Sequence, residues 1–115
     1  MSTAAIVGSR KWSDYRAFVR LLPALFGVTK IVSGGAKGVD AMAERFAREF
    51  GYAFEVFRPK RGKDFTTAAR SRNQQLVDVA DCVVALPGPR SKGTWDTVRR
   101  ARAKGIRVYV VEVLE

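Results

Sequence analysis

Three glycine-bearing segments hold most of the chemistry this chain can offer. They are Gly8-Ser9-Arg10-Lys11-Trp12, Ser33-Gly34-Gly35-Ala36-Lys37-Gly38-Val39-Asp40 and Pro87-Gly88-Pro89-Arg90-Ser91-Lys92-Gly93-Thr94, and each combines glycine, a hydroxyl and a cation. Glycine lets a backbone turn sharply and approach a phosphate, while free N–H groups at the start of a helix favour an anion. The pattern is that of a phosphate cradle, although any one such turn also serves close packing of a helix on a sheet. None is a Walker loop, because Gly-x-x-x-x-Gly-Lys-Ser/Thr does not occur. Gly34-Gly35-Ala36-Lys37-Gly38 also lacks the Gly-x-Gly-x-x-Gly spacing of a dinucleotide turn. An ordinary P-loop NTPase or dehydrogenase is therefore not expected.

Among single residues, Arg72 is the most informative. Phe65, Ala69, Arg72, Leu76 and Val79 recur with helical spacing, which puts Arg72 on the stripe expected to face the sheet. An unpaired guanidinium there is expensive, so it needs an anion. That anion is either a ligand's phosphate or reacting sugar, or an internal carboxylate such as Asp40 or Asp96. Asp40 reads as a cap on the following helix or as a contact to a ligand hydroxyl, and Thr94 as an N-cap, a phosphate-binding hydroxyl or both. Trp12 and Trp95 either stack a base or serve ordinary hydrophobic packing or a subunit contact. Arg58, Lys60, Arg61 and Lys63 join Arg10, Lys11, Lys37, Arg90 and Lys92 in a positive rim that suits a polyanion or is a solvated basic loop. Arg99, Arg100, Arg102 and Lys104 complement a helix dipole and carry no assigned function.

Composition narrows the classes. Lys plus Arg number 21 against 11 Asp plus Glu, a net charge of +10, which points to an anionic partner: a phosphate-bearing ligand, nucleic acid or an acidic protein. The chain has no histidine, so a Ser-His-Asp triad and the usual zinc constellations are absent, and neither a metal nor a cofactor is expected. Cys82 stands alone and cannot form an internal bridge. No apolar run approaches the roughly 18 residues of a membrane span, and Met1 to Arg10 lacks the form of a signal peptide. The expectation is a cytoplasmic protein without a membrane partner, folded as one domain over residues 1–115.

The elements that must position these loops alternate regularly. Strands are expected at Ala4–Val7, Lys30–Ser33, Phe54–Phe57, Cys82–Leu86 and Ile106–Val111, the first and fourth apolar enough to be buried on both faces. Val39, Met42, Ala43, Phe46, Ala47 and Phe50 mark an amphipathic helix closed by Gly51. A first helix is expected to start from Ser13 as N-cap and to be kinked or split at Pro23. A third runs from about Asp64 to Val79, and a fourth from about Thr94 to Lys104, stopped by Gly105. This βαβαβαβαβ order implies an α/β fold with a doubly wound parallel sheet. The ligand crevice of such sheets lies at the carboxyl ends of the strands, which gathers the three loops in one place.

Taken in order, Gly8-Ser9-Arg10, Ser33 through Asp40, Arg72-Asn73, Ala80-Asp81, Pro87 through Gly93-Thr94 resemble the signature of the SLOG superfamily of Rossmann-like proteins, and in particular its small branch related to YspA and cpYpsA. The resemblance covers essentially the whole chain. It implies a five-stranded parallel sheet in order 3-2-1-4-5 with helices on both faces, a nucleotide or nucleotide-derived ligand such as ADP-ribose or cyclic ADP-ribose, and a homodimer. On this view Gly8, Ser9, Arg10, Ser33, Gly34, Gly35, Lys37, Gly38, Asn73, Pro87, Gly88, Gly93 and Thr94 form the binding loops, with Arg72 on phosphate or ribose and Asp40 on a hydroxyl. Two related families supply alternatives. Gly-Ser-Arg followed by Ser-Gly-x-Ala-x-Gly-Val-Asp is similar to the DprA family, where it serves single-stranded DNA binding, although Glu44 stands where that family has histidine. Arg72 and Gly93-Thr94 resemble the LOG phosphoribohydrolases, which cleave the N-glycosidic bond of a nucleoside monophosphate. In that reading Arg72, with Asp96 or Asp40, would be catalytic, but Thr97 occupies the position of the family's glutamate, and a threonine cannot act as a carboxylate.

Overall fold

Ala4, Ala5, Ile6 and Val7 on one strand and Val83, Val84, Ala85 and Leu86 on another are buried, as strands covered on both faces must be. They form the centre of the sheet in a computed structural model of the chain, which describes residues 2–62 and 64–115. The elements are β1 (Ser2–Gly8), α1 (Tyr15–Leu21), β2 (Val28–Ser33), α2 (Val39–Phe50), β3 (Ala53–Val56), α3 (Phe65–Val79), β4 (Cys82–Leu86), α4 (Lys92–Lys104) and β5 (Arg107–Val110). The sheet is parallel throughout, in the order β3-β2-β1-β4-β5. The α/β fold expected from the sequence, with its strand order, is the one observed.

Alternation along β1 divides the core between the two faces. Ile6 joins Phe18 of α1 and Val39, Met42, Ala43 and Phe46 of α2 in one cluster. Ala5 and Val7 join Leu76 and Val77 of α3 and Val98 and Ala101 of α4 in the other. The chain changes faces between β3 and β4, so β1 and β4 are neighbours whose loops depart in opposite directions. That divergence opens a crevice at their carboxyl ends.

Helix ends differ from the sequence expectation in ways that matter for the site. The N-cap of α1 is Asp14 rather than Ser13, its carboxylate accepting from the Ala17 N–H at 3.1 Å, and the helix stops before Pro23. Asp64 caps α3 in the same manner through Thr67. Gly51 and Gly105 close α2 and α4 in the left-handed conformation, as expected. α4 starts at Lys92, two residues before the expected Thr94, so Gly93 and Thr94 lie inside its first turn and Thr94 is not an N-cap. The expected stripe on α3 is also displaced: Phe65 is 64% and Val79 46% exposed, while Ala68, Asn73, Leu76 and Val77 are buried. α3 divides its contacts between the sheet and α4, which turns its buried face toward Asn73 and Val77. Part of that contact is polar, because Lys104 Nζ donates to the Val77 and Asp78 carbonyls at the end of α3.

Candidate functional site

The loops after β1 and β2 are stitched together by their backbones. Ser9 N–H donates to the Leu86 carbonyl at 3.0 Å, and the Ser9 carbonyl accepts the first N–H of α2, from Val39, at 2.9 Å. Gly38 has φ of 70°, and a side chain there would collide with the Ser9 carbonyl and the Arg10 backbone. Gly38 is thus required by a close approach between two loops, and the α2 N-terminus is already engaged. Gly34 is required for a different reason, since a side chain there would occupy the space of the Arg72 guanidinium.

Arg72 reaches across from α3 to this loop. Its Nη1 donates to the Gly34 carbonyl at 2.7 Å and to the Phe57 carbonyl at 3.3 Å, and its Nε to Asn73 Oδ1 at 3.0 Å. Its Nη2 donates to no group among the described residues. Neither Asp40 nor Asp96 forms an ion pair with it. Burial lowers the Arg72 pKa, the Asp40 charge opposes that fall, and Arg10 adds to it. Asp40, in the first turn of α2, is 7% exposed and accepts from the Ala36 N–H at 3.1 Å. It therefore ties its own loop rather than the end of the helix. Burial raises the Asp40 pKa above its ordinary 3.8, against the pull of the Ala36 hydrogen bond and the charges of Arg72 and Arg10.

These groups line a cavity of about 330 Å³ at the carboxyl ends of β1, β2 and β4. Of the residues expected at the site, Gly8, Arg10, Gly34, Asp40, Arg72, Asn73, Gly93 and Thr94 stand in its wall. Lys11, Arg90 and Lys92 add cations, Val7, Ala69 and Leu76 an apolar floor, and Glu115 a second carboxylate in addition to Asp40. A second, more open groove of about 410 Å³ adjoins it, sharing Arg10, Gly34, Phe65 and Arg72 and adding Gly35, Arg58, Lys60 and Arg61. Lys63, expected on the same rim, lies outside the described residues.

Other expected site residues stand away from these walls. Ser9 and Ser33 are buried beneath the loops, Lys37 points to solvent, and Gly38 is a packing position. The Pro87 carbonyl is taken by the Val113 N–H, and the Gly88 N–H donates to Ser91 Oγ at 2.9 Å. Asp96 faces α3, where it accepts from Asn73 Nδ2 at 3.0 Å and Arg100 Nε at 2.8 Å. Burial acts to raise the Asp96 pKa, but the Arg100 and Asn73 hydrogen bonds and the charges of Arg100 and Arg99 leave it below the ordinary 3.8. Thr97 stands in the cavity wall instead, its hydroxyl bonded to the Gly93 carbonyl. Trp12 and Trp95 pack against the two core clusters, outside both cavities. Glu115 is a wall residue that sequence reasoning missed; it belongs to no motif, and only the run of the chain after β5, bonded to Ala85 and Pro87, brings it there.

The strand order, the face change and the loop cluster define a Rossmann-like α/β protein. Residues 1–58, half of the chain, match the family described as DNA recombination-mediator protein A, and the chain belongs to that family. Among solved structures it is similar to DNA processing protein A (DprA) from Streptococcus pneumoniae, with 22% identity and a TM-score of 0.79 over 96% of this chain. The match covers 50% of that protein, so this chain spans half its length. It is also similar to the structure of TM1055, with 19% identity and a TM-score of 0.66 over 94% of this chain and 72% of that one. Both likenesses are likenesses of fold. No curated protein sequence matches the chain.

Proposed function

We propose that the cavity binds one phosphate-bearing nucleotide or nucleotide-derived ligand. The observation that carries this reading is the half-buried Arg72, fixed by two carbonyls and Asn73, with Nη2 unengaged among the described residues in the wall of a cavity that also holds Arg10, Lys11, Arg90 and Lys92. A preorganised guanidinium of this kind suits a phosphate or ribose oxygen, because little freedom is lost on binding. The volume lies at the lower end of the roughly 300–1,000 Å³ usual for small-ligand sites, which suits a mononucleotide better than a dinucleotide. The buried Asp40 offers an acceptor for a sugar hydroxyl. Hydrolysis is not part of the proposal: Thr97 stands where the resembling glycosidases have a carboxylate, and Asp96 is committed to Arg100 and Asn73.

A second reading is single-stranded nucleic-acid binding. Membership of the DNA recombination-mediator protein A family favours it, as does the adjoining groove with Arg58, Lys60 and Arg61 and an exposed Phe65 at its junction with the cavity. Thermal unfolding at fixed salt against AMP, ADP-ribose, cyclic ADP-ribose and a short oligothymidylate separates the two. A ligand at about 100 times its dissociation constant adds about 2.7 kcal/mol, a shift on the order of 10 °C for a domain of this size. A shift with a nucleotide supports the first reading. A shift with the oligonucleotide alone rejects it and moves the function to the groove.

A further inference from the structure

Glu115 is an anomaly in its surroundings. Its side chain reaches from the segment after β5 into the wall of a cavity whose other charged members are Arg10, Lys11, Arg72, Arg90, Lys92 and the buried Asp40. The fit there is specific. The hydroxyl of Ser9, a residue only 1% exposed, donates to the Glu115 carboxylate, and Ser9 Oγ itself accepts from the Lys11 N–H at 3.1 Å. Gly88 forms the other side, and a side chain at Gly88 would fill the space now taken by Cγ, Cδ and Oε2 of Glu115. The segment is led to this point by pairing along β4, with Val111 N–H on the Ala85 carbonyl, Val113 N–H on the Pro87 carbonyl, and Val113 buried.

We infer that the seam between Ser9 and Gly88, which lies behind the cavity wall and meets the cavity at Glu115, is an anion subsite, and that Glu115 is its internal occupant, which the ligand's phosphate or carboxylate group displaces. This rests on the nucleotide reading above and adds to it a location for the anion and a competitor for it. A buried hydroxyl donor beside a side-chain-free glycine, in a cavity whose wall also carries Arg10, Lys11, Arg72, Arg90 and Lys92, has the shape to take an oxyanion. In the absence of ligand the chain supplies one from its own sequence. The neighbouring Leu114 is 88% exposed, so the Glu115 side chain leaves the seam without uncovering the core. Self-occupancy weakens the ligand by the fraction of molecules in which the seam is free. If the occupied form outnumbers the open form about ten to one, removing the carboxylate tightens binding about tenfold.

Calorimetric titration of the full chain with AMP, and separately with inorganic phosphate, tests this in four proteins: the unaltered chain, Glu115→Gln, Glu112→Gln and Arg72→Ala. Glu112 is exposed and carries the same charge, so Glu112→Gln reports the general effect of removing one acid. Glu115→Gln is expected to bind AMP at least about fivefold more tightly than Glu112→Gln, with the gain retained for inorganic phosphate. Hydrogen exchange at the Val113 N–H is expected to accelerate when AMP binds the unaltered chain. Equal or weaker binding by Glu115→Gln overturns the inference, and the nucleotide reading survives that result if Arg72→Ala still loses affinity. Absence of binding in every variant, Glu115→Gln included, overturns both.

Discussion

At the residue scale the argument turns on how charges are held. Arg72 is immobilised by the Gly34 and Phe57 carbonyls and by Asn73 Oδ1, a forked arrangement that a lysine ammonium cannot reproduce. Arg72→Ala is expected to reduce AMP affinity about 10- to 100-fold, the worth of one charge-assisted hydrogen bond, and Arg72→Lys to recover little of it, both read by calorimetry. The same truncation leaves two carbonyls without this partner and is expected to cost about 1–3 kcal/mol in urea unfolding. The two aspartates respond to pH with opposite signs. Asp96 has a lowered pKa, so its contribution is complete above its unfolded value near 3.8 and is lost as the pH falls through the folded value. Asp40 has a raised pKa, so the folded chain holds its proton more tightly and stability declines as the pH rises from 3.8 through the folded value. Asp96→Asn is therefore expected to flatten the acid limb of a stability profile. Asp40→Asn is expected to gain on the unaltered chain as the pH rises through that window. Urea midpoints measured from about pH 3 to 7 check both, and equal slopes in all three proteins would contradict the assignments.

At the scale of elements, the glycines divide into those that cap and those that permit contact. Gly38→Ala is expected to cost about 1–3 kcal/mol or more, because it adds a side chain at positive φ against the Ser9 carbonyl. Asp14→Ala, which removes the α1 cap, is expected to cost about 1 kcal/mol. Circular dichroism melts of the two variants give the ranking directly. α2 was legible in the sequence to the residue, since its apolar face packs on one layer and Gly51 ends it. α3 was legible in its limits but not in its facing. Its buried side is shared between the sheet and α4, and no periodicity in a single helix reports a second helix beside it. The start of α4 was misplaced because Thr94 has the look of an N-cap, whereas the turn from Gly88 to Ser91, held by Ser91 Oγ, starts the helix at Lys92. That shift carries Asp96 onto the α3 side and Thr97 into the cavity wall. The loops that form the site were legible from their glycines, but Glu115 was not, because its place depends on contacts with residues far away in sequence.

For the molecule as a whole, the net charge of +10 makes two salt responses diverge. Self-repulsion is screened as salt rises, so the thermal midpoint of the unliganded chain is expected to increase between about 20 and 300 mM sodium chloride. AMP affinity is expected to fall over the same range, because the cavity's attraction for a phosphate is screened with it. A common response of both quantities would mean that the charges of the cavity are not those that hold the ligand. The parallel sheet gathers three loops distant in sequence at one edge, with α1 and α2 on one face and α3 and α4 on the other. The most direct test of the account is to titrate isotopically labelled protein with AMP and follow the backbone amide resonances. Shifts concentrated at Gly8, Arg10, Gly34, Gly93 and Thr94, with the Arg72 side chain moving along the same binding curve, are the result the account predicts. Shifts confined to the groove of Arg58, Lys60 and Arg61, or no saturable shift at all, would contradict it.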